Sequence, residues 1–188
     1  MSETTATATA LTDLDGTYAI DASHSRVGFS TRHAMVTKVR GAFNEVEGTA
    51  TTGPDLQDAS VQVTMQVASV DTRSADRDGH LKSADFFDAE TYPTITFAST
   101  EVSAVDAETL RVTGDLTIKD VTRPVTVDFE YAGAATDPFG NQRIGFEGST
   151  VVNRKDFGLT WNATLETGGV LVADKVTLEF EISAIKSA

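Results

Sequence analysis

The sequence predicts an all-β protein: an antiparallel β-barrel of about eight strands, with one or two short helices inserted near residues 74–90. Three observations predict it. The chain is rich in Thr and Val and has 10 Phe, a composition that favours strands over helices. From Thr17 onward apolar residues recur with a period of two, which puts successive side chains on opposite faces of a strand. Only one stretch, residues 74–93, lacks that alternation.

The elements follow in order. Val27 and Phe29 mark a first strand. In the stretch 41–50, Phe43 and Val46 have opposite parity, which predicts a bulge or a two-sided strand. Val61, Val63, Met65 and Val67 alternate with Gln62, Thr64, Gln66 and Ala68. Residues 74–93 come next, where Asp76 and Ser83 are candidate caps for two short helices and Pro93 stops the second. Ile95/Phe97 and Leu110 to Ile118 resume the strand pattern. Val125, Val127, Phe129 and Tyr131 carry a clear apolar face. Ile144/Phe146 and Phe157/Leu159/Trp161 give shorter ones, and Val176, Leu178, Phe180 and Ile182 the last. Gly53-Pro54-Asp55, Asp137 to Asn141 and Thr167-Gly168-Gly169 supply turn chemistry between them. One-faced alternation in antiparallel strands fits either a closed barrel or a sandwich. The helical excursion at 74–93 favours a barrel, since it can lie over an open end. A barrel of about eight strands has room inside for side chains or one small ligand.

At 188 residues the chain is expected to form a single domain. Residues 1–14 read as a disordered leader, because Thr, Ala and Ser bury too little apolar surface to order it; residues 15–188 form the barrel. The N-terminus lacks a basic start and an apolar core segment, so the chain is expected to stay in the cytosol. No apolar run approaches the roughly 18 residues a membrane span needs. A formal charge of −13 repels phosphate backbones and anionic headgroups and argues against nucleic-acid binding. With no cysteine, disulfides, thiolate metal sites and cysteine nucleophiles are excluded.

Catalytic chemistry is sparse. His24, His33 and His80 have no partners at metal-ligand spacing, and Asp76-Arg77-Asp78-Gly79 lacks the continuation of a calcium loop. Asp21, Ser23 and His24 are close in sequence without a nucleophile elbow. Nothing resembles a nucleotide-binding loop. No metal and no cofactor are expected.

Several motifs resemble one family. They are Tyr18-Ala19-Ile20-Asp21-Ala22-Ser23-His24-Ser25 with Phe29 and Arg32-His33, then Arg40-Gly41-Ala42-Phe43. Arg77 to Asp88 follows, with Tyr92-Pro93 and Phe97, then Gly114 to Val125, and Asn153 to Leu159. In order across about 17–186, they are similar to the YceI family. That resemblance implies an extended lipocalin-like barrel with a helical cap, which holds a long isoprenoid-type lipid in an internal tunnel; many members are periplasmic. The residues it points to as ligand-binding are Phe29, His33, Leu81, Phe86, Phe87, Phe97, Leu116, Phe129, Phe146, Phe157 and Trp161. The polar motif residues, Arg154 and Asp156 among them, are expected to hold the barrel through buried pairs and strand-end bonds; the alternative puts one or two basic groups at the tunnel mouth. Binding, transport or storage of lipid is the expected function, and a homodimer is a further partner expectation. The alternative is a cofactor-free lipid-modifying enzyme with His33 or His80 as general base.

Overall fold

Eleven strand segments pair into one antiparallel sheet in the computed structural model, which describes residues 10–166 and 168–187. They are β1 (Gly16–Ile20), β2 (Arg26–His33), β3 (Thr37–Phe43), β4 (Val46–Thr52), β5 (Ser60–Gln66), β6 (Val70–Asp71), β7 (Thr94–Ala104), β8 (Thr109–Ile118), β9 (Val121–Thr136), β10 (Gln142–Asn153) and β11 (Val172–Lys186). Three of the boundaries are bends within longer strands. A 3-10 turn at Ala22–His24 separates β1 from β2, and another at Val67–Ser69 separates β5 from β6. Asn44 and Glu45 separate β3 from β4. On either side of each bend the same neighbours stay paired: β1 with β4, β2 with β3, and β3 with β6. The result is a closed barrel of eight antiparallel strands. It is sealed where Tyr18, Ala19 and Ile20 of β1 pair with Lys186, Ile185 and Ala184 of β11, and where β2 pairs with β11 from Arg26–Glu181 to His33–Val172.

The bulge expected in the stretch 41–50 is the bend at Asn44–Glu45. It brings both Phe43 and Val46 to the interior, where each is buried. Along β9 the inward set is Val125, Val127 and Phe129; along β11 it is Val176, Leu178, Phe180 and Ile182. The outward set is polar, as in the Arg111–Asp128 ion pair and the Thr113–Thr126 hydroxyl pair. An apolar interior under a charged exterior is the reverse of a barrel that spans a membrane. No helix among the described residues is long and apolar enough to cross one.

Three expectations need correction. The leader was expected to extend to residue 14; residues 1–9 lie outside the described residues, but Leu11 and Leu14 are part of the core. A 3-10 turn at Leu11–Asp13 lays Leu11 and Leu14 across one end of the barrel, 1% and 4% exposed, against Tyr18, Leu56, Leu110 and Ile144. Average composition had hidden two leucines that together plug an opening. The excursion at 74–93 holds one α-helix, α1 (Ala75–Lys82), with Ser74 rather than Asp76 as its cap. Ser83 starts no second helix, because its hydroxyl donates to the His80 carbonyl at 2.6 Å and closes α1. Residues 86–89 then turn back on α1, with Phe87 N–H donating to Leu81 O and Ala89 N–H to Lys82 O. Finally, Phe157, Leu159 and Trp161 do not form a strand. A 3-10 turn at Arg154–Phe157 ends at Gly158, whose φ of +76° breaks any extended run.

At the opposite end from α1, Arg143 ties the β1–β2 bend to the β9–β10 turn. It donates to Asp21 at 2.7 Å and to Asp137 at 2.8 Å, and holds both carboxyls well below the usual carboxylate range.

Two predictions follow from these contacts. Leu11→Ala should cost about 2–5 kcal/mol of unfolding free energy in urea, as for a fully buried leucine; a value near zero would show that the plug does not dock in solution. The Arg143 pairs bear on pH. A carboxylate with a lowered folded pKa stabilises above its unfolded value of about 4, and that contribution is lost as pH falls through the folded value. Arg143→Met should therefore lower the melting temperature at neutral pH, and its deficit should shrink as pH falls below about 4. A deficit that stays constant across thermal melts in acid would show that Arg143 acts through packing alone.

Candidate functional site

The inward residues do not fill the barrel. They leave a cavity of about 290 Å³ whose surface is apolar almost throughout. On β8 the lining runs from Leu110 to Ile118, roughly 27 Å along the strand. Leu14 and Leu56 close it at the plugged end. Leu81, Phe86, Phe87, Phe157 and Leu159 cover the other. These two lids come from segments that break the strand pattern, so the cavity is built by strands and closed by irregular chain.

Large rings share this space because glycines stand beside them. Gly41 faces Phe29 directly across the β2–β3 pair, and Gly148 faces Phe129 across β9–β10. A Cβ on Gly41 would lie 2.5 Å from Phe29 Cζ, one on Gly114 2.5 Å from Phe97 Cζ, and one on Gly148 2.8 Å from Phe129 Cδ1. Each ring therefore leans over the neighbouring strand, where any side chain would push it toward the lumen.

The cap end is held by Arg154, which is 4% exposed. Its guanidinium donates to the carbonyls of Leu159 (2.6 Å), Trp161 (2.9 Å), Ala173 (2.9 Å) and Val172 (3.2 Å). Asp174 stands 3.7 Å away. Burial pulls Arg154 below its ordinary value, and the carbonyl cage is what satisfies the charge there. The expectation that motif polar residues hold the barrel describes Arg154 well, although carbonyls rather than a close carboxylate surround it.

Of the residues predicted as ligand-binding, Phe29, Leu81, Phe86, Phe87, Phe97, Leu116, Phe129, Phe146 and Phe157 line the cavity. His33 does not. Its parity on β2 is inward, but it is the last residue of the strand, opposite Val172, and is exposed. Trp161 is half-buried outside the lining, packed on His80 at 4.6 Å and Phe86 at 5.4 Å between ring centroids. Leu14, Leu56 and the spacer glycines escaped sequence reasoning. An inward-parity glycine opposite a phenylalanine was the available signal for the second group.

Histidine chemistry lies outside the cavity. His80 Nε2 is 2.9 Å from Asp85, with the side chains 39% and 52% exposed. The Asp21–Ser23–His24 cluster is no relay, because Asp21 and the Ser23 hydroxyl both meet the same ring nitrogen, Nδ1. Among the described residues, Arg154 and Tyr18 are the titratable groups that line the cavity; none is a carboxylate or imidazole.

The YceI-like domain family matches residues 18–184. This chain belongs to the YceI family. A UPF0312 protein of Vibrio cholerae is 40% identical over 145 residues, which span 76% of this chain and 77% of that protein. Another from Staphylococcus aureus is 37% identical over 172 residues, 89% and 95% of the two chains. Among solved structures, BcnA of Burkholderia cenocepacia matches with a TM-score of 0.76 at 28% identity, covering 87% of this chain and 98% of its own. A polyisoprenoid binding domain from Saccharophagus degradans shares the fold at a TM-score of 0.70 and 16% identity, with 90% and 98% covered.

The glycine spacers of this YceI barrel are testable. Gly148→Ala should destabilise by about 1–3 kcal/mol through overpacking. Phe129→Leu in the same chain should recover part of that loss, giving a favourable coupling in a double-mutant cycle. Strict additivity in denaturant unfolding would show that the ring does not depend on the glycine.

Proposed function

We propose that this barrel binds an isoprenoid-type lipid in its cavity, as a carrier or store and not as an enzyme. The observation that carries the reading is the cavity itself: about 290 Å³ of apolar space, drawn out along the strands and free of carboxylate and imidazole. Its volume is at the lower edge of ligand pockets in general, which suits a thin flexible chain better than a bulky ring. Such a ligand needs continuous apolar contact and few polar groups, and burial contributes about 25 cal/mol per Å². The fold shared with a polyisoprenoid binding domain supports the same reading. The enzymatic alternative has one pair to offer, His80 with Asp85, and its exposure outside the lining counts against it.

The test is to strip the protein with organic solvent, refold it, and titrate a prenylated quinone. Trp161 packs on Phe86, a lining residue, so its fluorescence should respond. The melting temperature should also rise, with about 2.7 kcal/mol of added stability at a hundredfold excess over Kd. If neither signal moves at micromolar ligand, the lipid-binding reading is wrong.

A further inference from the structure

We propose that the β2–β3 hairpin is a membrane-docking element, which seats the barrel on an anionic phospholipid surface with Met35 and Val36 foremost. The inference rests on the lipid-binding reading for its purpose, since a ligand this apolar has to be exchanged with a bilayer.

The tip sets two exposed apolar side chains next to each other, whereas Phe139, 88% exposed, stands alone in the β9–β10 turn at the opposite end. Met35 is 65% exposed and Val36 73%, and Val170 of the adjoining loop is 41% exposed. The hairpin is braced rather than trailing: Ala34 N–H donates to Leu171 O at 2.7 Å, and His33 pairs with Val172. Thr31 and Val172, just behind the tip, both line the cavity. The exposed apolar tip and the end of the cavity are thus parts of one projection.

Its charge is the reverse of the chain's. From Arg26 to Asn44 there is no Asp or Glu, in a sequence of formal charge −13. Arg32, Lys38 and Arg40 are exposed and make no ion pair among the described residues. Arg32 and Lys38 stand directly opposite one another, an arrangement that disfavours the free hairpin and is relieved by an anionic surface. Lys175 adds a further exposed cation beside them; its carbonyl accepts from the Thr31 hydroxyl at 3.1 Å. Of the nearby acids, Asp174 is engaged by Arg154 and Lys155, and Glu166 sits exposed in the adjoining loop. Cations on a strand edge can serve simply to prevent edge-to-edge pairing. That purpose accounts for Lys38 and Arg40, but not for an exposed Met-Val pair between them and Arg32.

The cap over this end carries Asp76, Asp78, Asp85, Asp88 and Glu90 beside Arg77 and Lys82, and a second group of acids has fewer cations near it. Asp13, Asp15, Asp55, Asp58, Asp106, Glu108 and Asp137 lie in the plug and the turns at the opposite end of the barrel. At physiological salt, charges beyond about 8 Å are largely screened, so the local basic hairpin governs contact while the long-range asymmetry orients approach. The negative total therefore does not keep this end away from anionic headgroups.

The experiment is flotation of the full chain with phosphatidylcholine vesicles, with and without phosphatidylglycerol, none containing isoprenoid. The chain should float with the anionic vesicles alone, and less as salt is raised. Arg32→Ser with Lys38→Ser should weaken this by about fivefold per charge. Met35→Ser with Val36→Ser should weaken it as well. Both double variants should keep the parent melting temperature and the parent quinone titration in solution. The proposal is overturned if the parent chain ignores anionic vesicles, if it floats equally with neutral ones, or if neither double variant changes its recovery. It is also overturned if Met35→Ser with Val36→Ser instead dissolves a dimer that never floated. Flotation by a chain that fails the quinone titration would sustain the docking face and remove the lipid-binding reading instead.

Discussion

Closing eight antiparallel strands into one ring leaves no free edge around the barrel and fixes the width of its interior. The seal joins the bent β1–β2 strand to β11 through ten residue pairs, three from β1 and seven from β2, and it decides what the side chains can do. They cannot draw the walls together, so whatever volume they leave becomes a cavity. Phe29, Phe97 and Phe129 would occupy much of that volume if they stood upright. With Gly41, Gly114 and Gly148 beside them they lean on the wall instead. The cavity is therefore a consequence of small residues placed against large ones, and not of missing apolar bulk.

A ring also has two ends, and this molecule closes them by different physics. At one end two leucines cover the opening, and Arg143 binds the surrounding turns through two carboxylates at the surface. At the other, a loop without regular structure is held by Arg154, a buried cation surrounded by backbone carbonyls. Taking a guanidinium out of water is expensive, and only a full set of acceptors makes it tolerable. The carbonyls of Leu159 and Trp161 would otherwise be left unpaired on an irregular segment lying over an apolar interior. Arginine and loop satisfy each other, which is why the chain after β10 can cover the barrel without a helix or strand of its own.

Most of the wall was legible in the sequence because period-two alternation is a direct record of which side chains face inward. Val125, Val127 and Phe129 were readable in this way, as were Val176 to Ile182. The bend near Asn44 could be anticipated from the clash of parity between Phe43 and Val46. The lids were not legible, because their residues obey no period. Leu11 and Leu14 lie in a Thr- and Ala-rich run whose composition suggests disorder. Phe157, Leu159 and Trp161 mimic a strand until Gly158 turns the chain. Charge misled in a related way: a total summed over the whole sequence hides a hairpin of opposite sign. His33 shows the limit of parity itself, since an inward-facing position means little at the last residue of a strand, where the side chain reaches solvent.

The seal between β1 and β11 also constrains how the chain reaches this structure. Along this seam residues 18–20 pair with residues 184–186 and residues 26–33 with residues 172–181, and the leucine plug packs against Ala184 in the same cluster. Every other neighbour in the ring is adjacent in sequence and can zip locally. The final pairing must instead close a loop of nearly the whole chain, the slow, entropically costly step of a high-contact-order topology. Until it forms, the β1–β2 strand and β11 each carry a bare edge and the apolar lumen is open along its length. A nascent YceI barrel is therefore most prone to aggregate just before completion, when seven of its eight strand pairings can exist and the last cannot.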